Sequence, residues 1–303
     1  MLHFDKALFV YNRTAGDIEI EEKLSQTIPI FTQAVDELII LNTSSEEELQ
    51  QACINYSDQV DALIILGGDG TVHTCINSIA PLPIRPVIAI LPGGTSNDFS
   101  RTVGIPQALE KAAHALINGK IVETDIGQAD NRYFMNFWGI GLVTEASENV
   151  RDEEKKNFGP VSYALSTIRT LNQAEQFSYN VQTASKQYEG KAILLFVCNG
   201  RFIGTAQLPI PDISITDGKL DVLLVRDSNL SAFRELFILQ NPAIDNEQLD
   251  ELEYFQTDML RIQQPLSNKV DMDGEIYDET SSVITLLPKH LRIIHPLEMQ
   301  DKK

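Results

Sequence analysis

A glycine-rich stretch with one acidic residue, Gly67-Gly68-Asp69-Gly70-Thr71, is the part of the sequence that most clearly indicates chemistry. An apolar run over residues 61–66 leads into it, and a helix is predicted over Val72–Ala80. A strand, a glycine turn and a helix in this order present free backbone N–H groups and a positive helix end to a phosphate. A carboxylate repels a phosphate unless a cation lies between them, so Asp69 predicts a phosphate site that also uses a metal ion.

A second glycine turn, Pro92–Arg101, opens another predicted helix and carries polar side chains that could bond phosphate, ribose or backbone. These side chains belong to Thr95, Ser96, Asn97, Asp98 and Arg101. Asn97 or Asp98 could also cap the helix, and capping is compatible with ligand contact. The chain has neither the usual dinucleotide fingerprint nor a P-loop, and Gly139-Ile-Gly141 is interpreted as a turn at a strand end.

Two acidic segments in the second half of the chain are candidates for metal binding and for proton transfer. Thr216–Asp221 is first a hairpin turn around Asp-Gly, although a carboxylate beside backbone carbonyls also suits a hard cation. Asp271, Asp273 and Glu275 occupy alternate positions, so on a strand they would share one face. That segment is either an acidic hairpin tip or the source of a general base, a carboxylate that takes the proton from an attacking hydroxyl.

The elements that must position the glycine turns are strands and helices in alternation. The predicted strands are Ala7–Tyr11, Leu38–Leu41, Leu63–Leu66 and Pro86–Leu91. Their alternation with helices predicts a parallel, doubly wound sheet, in which ligands bind outside the carboxyl ends of the strands. Each strand ends there in a small or polar turn, at 12–16, 42–43, 67–71 and 92–97.

After about residue 121 the pattern changes to short strands divided by Gly, Asn and Asp, with helices only near 159–171 and 231–239. This pattern predicts an antiparallel, sandwich-like domain. Domains are therefore expected at 1–124, with a tail at about 288–303 that returns to it, and at 125–287. The predicted strands are Ile121–Gln128, Tyr133–Gly139, Phe177–Thr183, Ala192–Asn199, Leu220–Val225, Met259–Gln263, Lys269–Met272, Ser282–Leu286 and, in the tail, Leu291–His295.

Composition disfavours several classes of protein. The 303 residues carry a formal net charge of −19, which argues against nucleic acid as a partner and against loose adsorption to anionic membranes. Cys53, Cys75 and Cys198 lie far apart and are interpreted as small buried side chains in a reducing cytosol. The N-terminus lacks the plan of a signal peptide and no apolar run reaches the length of a membrane span, so we expect a soluble cytoplasmic protein.

The two glycine motifs in combination resemble the diacylglycerol kinase catalytic-domain family, which includes bacterial soluble lipid kinases. Weaker matches follow in family order over nearly the whole chain: Asn12–Gly16, Asn136 with Gly141, Lys156–Tyr163, Asn199-Gly200, Pro211, Asp217–Asp221 and Asp273-Gly274-Glu275. The chain departs from the family pattern at Arg13, His73, Thr74 and Gly204-Thr205. His73 is interpreted as helix surface or cleft wall and not as a catalytic base.

The resemblance implies a Rossmann-like, doubly wound domain for ATP and an antiparallel β-sandwich domain, with the active site in the cleft between them. It implies transfer of the ATP γ-phosphoryl group to a lipid hydroxyl, with diacylglycerol giving phosphatidic acid. Glu275 would be the general base, and Asp69 would help to hold a catalytic Mg²⁺. A structural Mg²⁺ would be held by Asp217 with backbone oxygens near Ser214 and Lys219. The implied ATP-binding residues are Asn12, Arg13, Thr14, Ala15, Gly16, Thr43, Gly67, Gly68, Asp69, Gly70, Thr71, Val72, His73, Thr95, Asn97 and Asp98.

The implied partner is a lipid substrate at a membrane surface, reached by peripheral association, and bacterial relatives make a homodimer an expectation. Three alternatives remain open: a sphingoid-base or other lipid kinase, an NAD kinase-like enzyme, and a nucleotide or lipid sensor without catalysis. The chain lacks the Gly-Ser-Thr-Ala-Tyr-type segment expected of an NAD kinase. The presence of both Glu275 and Asp69 disfavours the sensor.

Overall fold

The computed structural model describes residues 1–12, 18–141, 176–210, 212–227, 231–232, 235–236, 249–263, 269–278 and 283–297. The chain divides into two compact units, Met1–Thr124 with Lys289–Lys303 and Asp125–Pro288. The helix predicted at 159–171 lies outside the described residues, as do Arg13–Gly16, Lys156–Tyr163 and Pro211.

The first unit alternates strands and helices, as the sequence pattern predicts. Its elements are β1 (Phe4–Asn12), α1 (Ile18–Phe31), β2 (Val35–Thr43), α2 (Glu46–Tyr56), β3 (Ala62–Gly67), α3 (Asp69–Ile79), β4 (Val87–Pro92), α4 (Asp98–Thr102), α5 (Leu109–Ile117) and the first half of β5 (Lys120–Ala129). The helix predicted from Val72 begins earlier, at Asp69, because Gly68 is its N-cap in extended conformation. This start places the Asp69 carboxylate in the positive first turn of α3.

A parallel sheet forms the centre of the first unit, with strands in the order β2-β1-β3-β4. The chain passes from β1 to β2 on one side and to β3 on the other, so the strand order reverses between β1 and β3. Open α/β sheets bind ligands at such a switch point. The apolar runs of the three inner strands, at 7–10, 62–66 and 87–92, are fully buried, as expected for parallel strands covered on both faces.

The second unit is built from short antiparallel strands. Its elements are the second half of β5, β6 (Arg132–Phe134), β7 (Phe137–Gly141), β8 (Phe177–Gln182), β9 (Gln187–Ala192), β10 (Leu194–Cys198), β11 (Phe202–Ile203), β12 (Ala206–Gln207), β13 (Leu220–Val225), β14 (Leu252–Thr257), β15 (Met259–Gln263), β16 (Val270–Met272), β17 (Glu275–Tyr277) and the first half of β18 (Val283–His295). One sheet has the order β14-β13-β10-β7-β16-β17, and other strands pair in the order β18-β15-β8-β9. Side chains from both sets, among them Trp138, Val222, Val181 and Ile284, share one apolar core, so this unit is a β-sandwich.

Several elements of the second unit differ from the predicted strands. The segment Tyr133–Gly139 forms two strands, β6 and β7, because the N–H groups between them bond to Asp273. Of the predicted strand Ser282–Leu286, Val283–Leu286 belongs with Leu291–His295 to the single strand β18, which is irregular at Lys289 (φ 53°), whereas Ser282 lies outside the described residues. The sequence does not predict β9 and β14, since both mix charged and apolar residues without clear alternation.

Beyond Pro288 the chain returns to the first unit, where Ile293 of β18 pairs in parallel with Ile88 of β4. Of the helix predicted near 231–239, residues 231–232 and 235–236 are described, and they are helical.

Candidate active site

The polar ends of four parallel strands lie at one edge of the sheet in the first unit. Asn12 ends β1, Thr43 ends β2, Gly67 ends β3 and Pro92 ends β4. The Thr43 side chain is buried and its hydroxyl donates to the Tyr11 carbonyl at 3.2 Å, so Thr43 joins β2 to β1. Asn12 is exposed at the end of β1, beside the switch point.

The two glycine turns pack against each other backbone to backbone. The Gly93 N–H donates to the Gly67 carbonyl at 2.9 Å. A Cβ atom on Gly94 would lie 2.5 Å from the Gly68 Cα, and one on Gly67 would lie 2.5 Å from the Thr71 Cβ. Such distances exclude any side chain without movement of the backbone. The glycines therefore build a close double turn at the carboxyl ends of β3 and β4.

Asp69 fastens the two turns together through its carboxylate. One oxygen accepts the Asn97 N–H at 2.8 Å, and the other accepts the Asp98 N–H at 2.7 Å. We call this arrangement the Asp69 clamp. Hydrogen bonds to an ionised acceptor are stronger than neutral ones, and the first turn of α3 also favours a negative charge at this position. Among the described residues, the Asp69 carboxylate therefore serves to position the second glycine turn.

Asn97 closes the second turn from within. Its backbone is left-handed (φ 52°), and its side-chain amide accepts the Gly94 N–H and donates to the Gly94 carbonyl, both at 2.9 Å. Asn97 and Asp98 are buried, whereas Thr95 is exposed beside Gly94. Of the residues predicted to bind the nucleotide from this turn, Thr95 is the one that presents its side chain to solvent.

Two predicted nucleotide-binding residues of α3 have interior side chains. Val72 and His73 are each 5% exposed. The interpretation of His73 as helix surface is therefore wrong, because residues 72–76 of α3 are all buried, and its interpretation as cleft wall stays a prediction. Gly67, Gly68, Asp69, Gly70 and Thr71 are half-buried and remain accessible from the edge of the sheet.

Lys23 is a cation at this edge that the sequence pattern does not single out. Its ammonium donates to the Gly93 carbonyl at 3.2 Å and lies 3.9 Å from the Glu19 carboxylate on the same helix. The only signal in the sequence is the Glu-Lys spacing of four residues on α1. Lys23 thereby joins α1 to the second glycine turn.

The helix starts at this edge are acidic, which bears on how a phosphate could be held there. Their first turns carry Glu19 and Glu21 in α1, Glu46, Glu47 and Glu48 in α2, Asp69 in α3 and Asp98 in α4. Hydrogen bonds from the backbone and from Ser45 or Ser44 hold the pKa values of Glu47 and Glu48 below the ordinary value. A polyphosphate at this edge needs a cation to offset the carboxylate charge.

The acidic segment of the second unit is a tight hairpin between β16 and β17. Asp273 (φ 54°) and Gly274 (φ 94°) form its two-residue turn, and Met272 pairs with Glu275 across it. The prediction of an acidic hairpin tip is therefore confirmed, and the three alternate carboxylates do not share one strand face, because the chain reverses between them. Asp271 and Asp273 are buried, and Glu275 is exposed.

Asp273 fixes this hairpin to the junction of β6 and β7. Its carboxylate accepts the backbone N–H groups of Met135, Asn136 and Phe137 at 2.7, 2.8 and 2.9 Å. We call this arrangement the Asp273 clamp. Among the described residues, no hydrogen bond or ion pair engages the Glu275 carboxylate, which a rigid hairpin thus presents to solvent.

The predicted cation turn lies in the same unit. Asp217, Gly218 (φ 76°) and Lys219 form it, and the Asp217 carboxylate accepts the Lys219 N–H at 3.0 Å. The Ser214 hydroxyl lies 3.2 Å from that of Thr216, and Asp217 and Lys219 are exposed. Carboxylate, hydroxyl and backbone carbonyl oxygens are the ligands that Mg²⁺ prefers, so the donor set of this turn fits the ion.

Asn199 and Asp125 connect the cation turn to the hairpin. The Asp125 carboxylate accepts the Gly218 N–H at 2.8 Å. The buried Asn199 amide donates to the Asp125 carbonyl at 3.1 Å and to the Met135 carbonyl at 2.7 Å. Met135 is in turn held by the Asp273 clamp. A continuous hydrogen-bonded array therefore joins the two predicted functional segments of the second unit.

Comparison with known proteins agrees with this architecture. The family model described as the diacylglycerol kinase catalytic domain matches residues 6–129, and the model described as the YegS C-terminal NAD kinase beta sandwich-like domain matches residues 139–295. The chain is 30% identical over 296 residues to "Putative lipid kinase SAS0691" of Staphylococcus aureus (strain MSSA476), covering 96% of this chain and 97% of that protein.

Solved structures are also similar over nearly their whole length. A crystal structure titled as that of "a putative diacylglycerol kinase" from Bacillus anthracis str. Sterne has a TM-score of 0.86 and 36% identity, covering 97% of this chain and 98% of that one. A second structure from the same organism, a diacylglycerol kinase, has a TM-score of 0.79 and 32% identity, covering 96% and 97%.

A helix able to cross a membrane, one both long and apolar enough, does not occur among the residues described. The glycine turns, the acidic hairpin and the matches over both units lead to one assignment. The chain belongs to the diacylglycerol kinase family of lipid kinases.

Proposed function

We propose that this protein uses ATP and Mg²⁺ to phosphorylate a lipid hydroxyl, and that diacylglycerol is the acceptor. The observation that carries the proposal is the double glycine turn held by the Asp69 clamp, in a chain of the diacylglycerol kinase family. In the reaction, the bond between the γ-phosphorus and its bridging oxygen breaks. A new phosphorus–oxygen bond forms to the lipid oxygen, and the products are ADP and a lipid phosphate monoester.

In this proposal the ATP phosphates bind at the edge formed by Gly67–Thr71 and Thr95. Backbone N–H groups at the start of α3 donate to the phosphate oxygens, because a helix N-terminus leaves its first N–H groups unpaired. Asn12, at the end of β1, lies beside the switch point. Lys23 adds a positive charge next to the second turn.

A bound Mg²⁺ neutralises the charge that develops on the transferred phosphoryl group. The carboxylates in the first turns of the helices at this edge, that of Asp69 among them, would hold this catalytic ion. Ser214, Asp217 and Lys219 would hold a second, structural ion in the other domain. The requirement for a cation is supported by the excess of carboxylates at an edge that must accept a polyphosphate.

Glu275 is proposed to take the proton of the lipid hydroxyl. An alcohol is a poor nucleophile until its proton has an acceptor, and general-base assistance contributes about 10²–10⁴-fold. The Asp273 clamp supports this role, because it fixes the hairpin while the Glu275 carboxylate stays exposed. The hydroxyl proton moves to a Glu275 oxygen as the new phosphorus–oxygen bond forms.

A panel of acceptors tests the acceptor class. The full chain would be incubated with γ-labelled ATP, MgCl₂ and mixed micelles containing diacylglycerol, sphingosine or no acceptor, with NAD as a soluble control. We expect label in the lipid phase with diacylglycerol and none in NAD. Label found only in sphingosine would show that the acceptor is a sphingoid base and not diacylglycerol. Label in NAD would favour the NAD kinase alternative. Bound ATP without transfer to any acceptor would favour the sensor.

The lipid is proposed to come from a membrane surface to which the protein binds peripherally. Liposome co-sedimentation in the presence of ATP and MgCl₂ checks this step. Binding to vesicles that contain diacylglycerol is expected, and its absence at every fraction of anionic lipid would contradict peripheral association.

A further inference from the structure

Arg101, at the second glycine turn, has no role in the reaction proposed above. It lies in α4 and is partly exposed. Its Nε–H donates to the Ser96 carbonyl at 2.8 Å, which holds the guanidinium against the turn, one residue after Thr95. An arginine side chain carries five N–H donors, and this bond uses one of them. Among the described residues no group accepts a hydrogen bond from either Nη atom, so these donors remain for a ligand or for water.

The charge of Arg101 is also not used by the part of the chain that the structure describes. The first turns of α3 and α4 carry Asp69 and Asp98, yet no described carboxylate forms an ion pair with Arg101. A guanidinium can bond two oxygens of a phosphate at once, and such bidentate contacts are among the strong hydrogen bonds of proteins. The chemistry of Arg101 therefore suits a phosphate group.

Lys23 lies at the other end of the same turn and shows the contrast. Its ammonium donates to the Gly93 carbonyl at 3.2 Å, whereas Arg101 bonds the Ser96 carbonyl. Lys23 also lies 3.9 Å from the Glu19 carboxylate, which offsets part of its charge. Of these two cations, Arg101 is the one whose charge no described carboxylate offsets.

The place of the second turn along the sheet edge indicates which phosphate Arg101 would contact. In the strand order β2-β1-β3-β4 the switch point lies between β1 and β3, the first turn ends β3 and the second turn ends β4. A phosphate chain that starts at the switch point and follows this edge passes the first turn before the second. The turns touch, since the Gly93 N–H donates to the Gly67 carbonyl at 2.9 Å, so one polyphosphate can contact both. Its last phosphate would then lie at the second turn.

We propose that Arg101 binds the γ-phosphate of ATP and that this contact distinguishes ATP from ADP. The inference rests on the proposed function, because it assigns a specificity residue to the same nucleotide site. ADP lacks the group that Arg101 contacts, so Arg101 favours the substrate of the reaction over its product. A residue that only held the turn in place would affect the binding of both nucleotides alike.

The test measures the affinity of the full chain for ATP and for ADP by calorimetry, with MgCl₂ and without a lipid acceptor. Arg101→Gln removes the charge but keeps an amide that can donate to the Ser96 carbonyl. Arg101→Lys keeps the charge. Lys111→Gln is the matched control, because it removes the same charge from an exposed residue on another helix of the same unit, α5.

We expect Arg101→Gln to weaken ATP affinity about 10–100-fold, the size typical of a hydrogen bond to a charged group, and to leave ADP affinity unchanged. Arg101→Lys should show a preference for ATP between those of the wild-type protein and Arg101→Gln. Lys111→Gln should bind both nucleotides as the wild-type protein does. Equal losses for ATP and ADP in Arg101→Gln would overturn the inference in favour of a structural role, and no loss for either nucleotide would also overturn it.

A measurement on the wild-type protein covers the case in which Arg101→Gln does not fold. The wild-type protein should bind ATP about 10–100-fold more tightly than ADP. Equal affinities would overturn the inference and leave the nucleotide site in place. Binding of neither nucleotide would instead contradict the proposed function, and the inference with it.

Discussion

The two domains hold their proposed functional segments with the same device, an aspartate whose carboxylate accepts successive backbone N–H groups. The Asp69 clamp joins residues 28 and 29 positions apart and lies in a half-buried turn. The Asp273 clamp joins residues 136 to 138 positions apart and is buried. The same chemistry thus closes a local turn in one domain and a long-range junction in the other.

This difference indicates which clamp contributes more to its fold. Consecutive strand–helix units already bring the ends of β3 and β4 together, so the Asp69 clamp adjusts a geometry that the sheet provides. The β16–β17 hairpin reaches the β6–β7 junction through the long-range pairing of β16 with β7, and the Asp273 clamp extends that pairing to the turn just before Glu275. A buried clamp with three bonds also leaves more unpaired donors when it is lost.

The largest expected effect on stability is that of Asp273→Asn. An asparagine can keep two of the three bonds but presents an N–H group to the Met135 N–H. We expect a loss of about 2–3 kcal/mol in the free energy of unfolding of the second domain. Hydrogen exchange at residues 135–137 measures the effect locally. Asp258→Asn, at an exposed carboxylate of the same unit, is the control, and equal exchange in both variants would contradict the clamp.

A pair of glycine substitutions tests the contact between the two turns in the first domain. A Cβ on Gly94 would lie 2.5 Å from the Gly68 Cα, whereas one on Gly68 would lie 3.1 Å from the Gly94 Cα. Gly94→Ala should therefore move the backbone more and weaken ATP binding about 10–100-fold, a size typical of displacements near 1 Å. Gly68→Ala should weaken it less than about 10-fold.

Calorimetric titration with ATP and MgCl₂ compares the two glycine variants directly. The affinity for ATP should decrease in the order wild type, Gly68→Ala, Gly94→Ala. The reverse order would show that the turns are not held together as described.

Asp69→Asn should have a smaller effect on stability than Asp273→Asn. Asparagine loses one of the two hydrogen bonds in a half-buried turn, which lowers the free energy of unfolding by about 1 kcal/mol. Amide hydrogen exchange at Asn97 and Asp98 should become faster. If Asp69 also helps to hold the catalytic ion, the dependence of the reaction rate on Mg²⁺ should weaken. Asp58→Asn, an exposed carboxylate after α2, is the control. A larger loss of stability in Asp69→Asn than in Asp273→Asn would invert the comparison.

The effect that is smallest at neutral pH concerns the pH dependence of the stability of the first domain. Burial, with the charge of Lys120, lowers the pKa of His295 from 6.5 to about 4. Between these pH values the unfolded state binds the extra proton, so the stability that His295 contributes is complete above pH 6.5 and declines towards pH 4. His295→Asn should flatten this slope in urea denaturation, whereas His114→Asn, on an exposed residue of α5, should keep it. Parallel slopes in the wild-type protein and His295→Asn would contradict the assignment.

The sequence predicts the first domain better than the second for a physical reason. Buried parallel strands and glycine turns are local patterns, so β1 to β4 and both turns can be located without tertiary information. The break at Met135 and Asn136 depends on a contact across more than a hundred residues, and no local pattern encodes it. The hairpin at Asp273 carries the local Asp-Gly turn signal, but its attachment to that break does not follow from it. The inward position of His73 and the contact of Lys23 with Gly93 likewise follow from packing alone.

Phosphoryl transfer to diacylglycerol, with Glu275 as the general base, is tested by comparing the wild-type protein with Glu275→Gln in the transfer of label from γ-labelled ATP. ATP affinity is measured on the same samples, and Glu189→Gln, an exposed residue of β9, is the control. We expect labelled phosphatidic acid from the wild-type protein and the control. For Glu275→Gln we expect a rate about 10²–10⁴-fold lower, with ATP affinity unchanged. Equal rates in the wild-type protein and Glu275→Gln would contradict the role of Glu275, and no labelled lipid from the wild-type protein would contradict the proposed function.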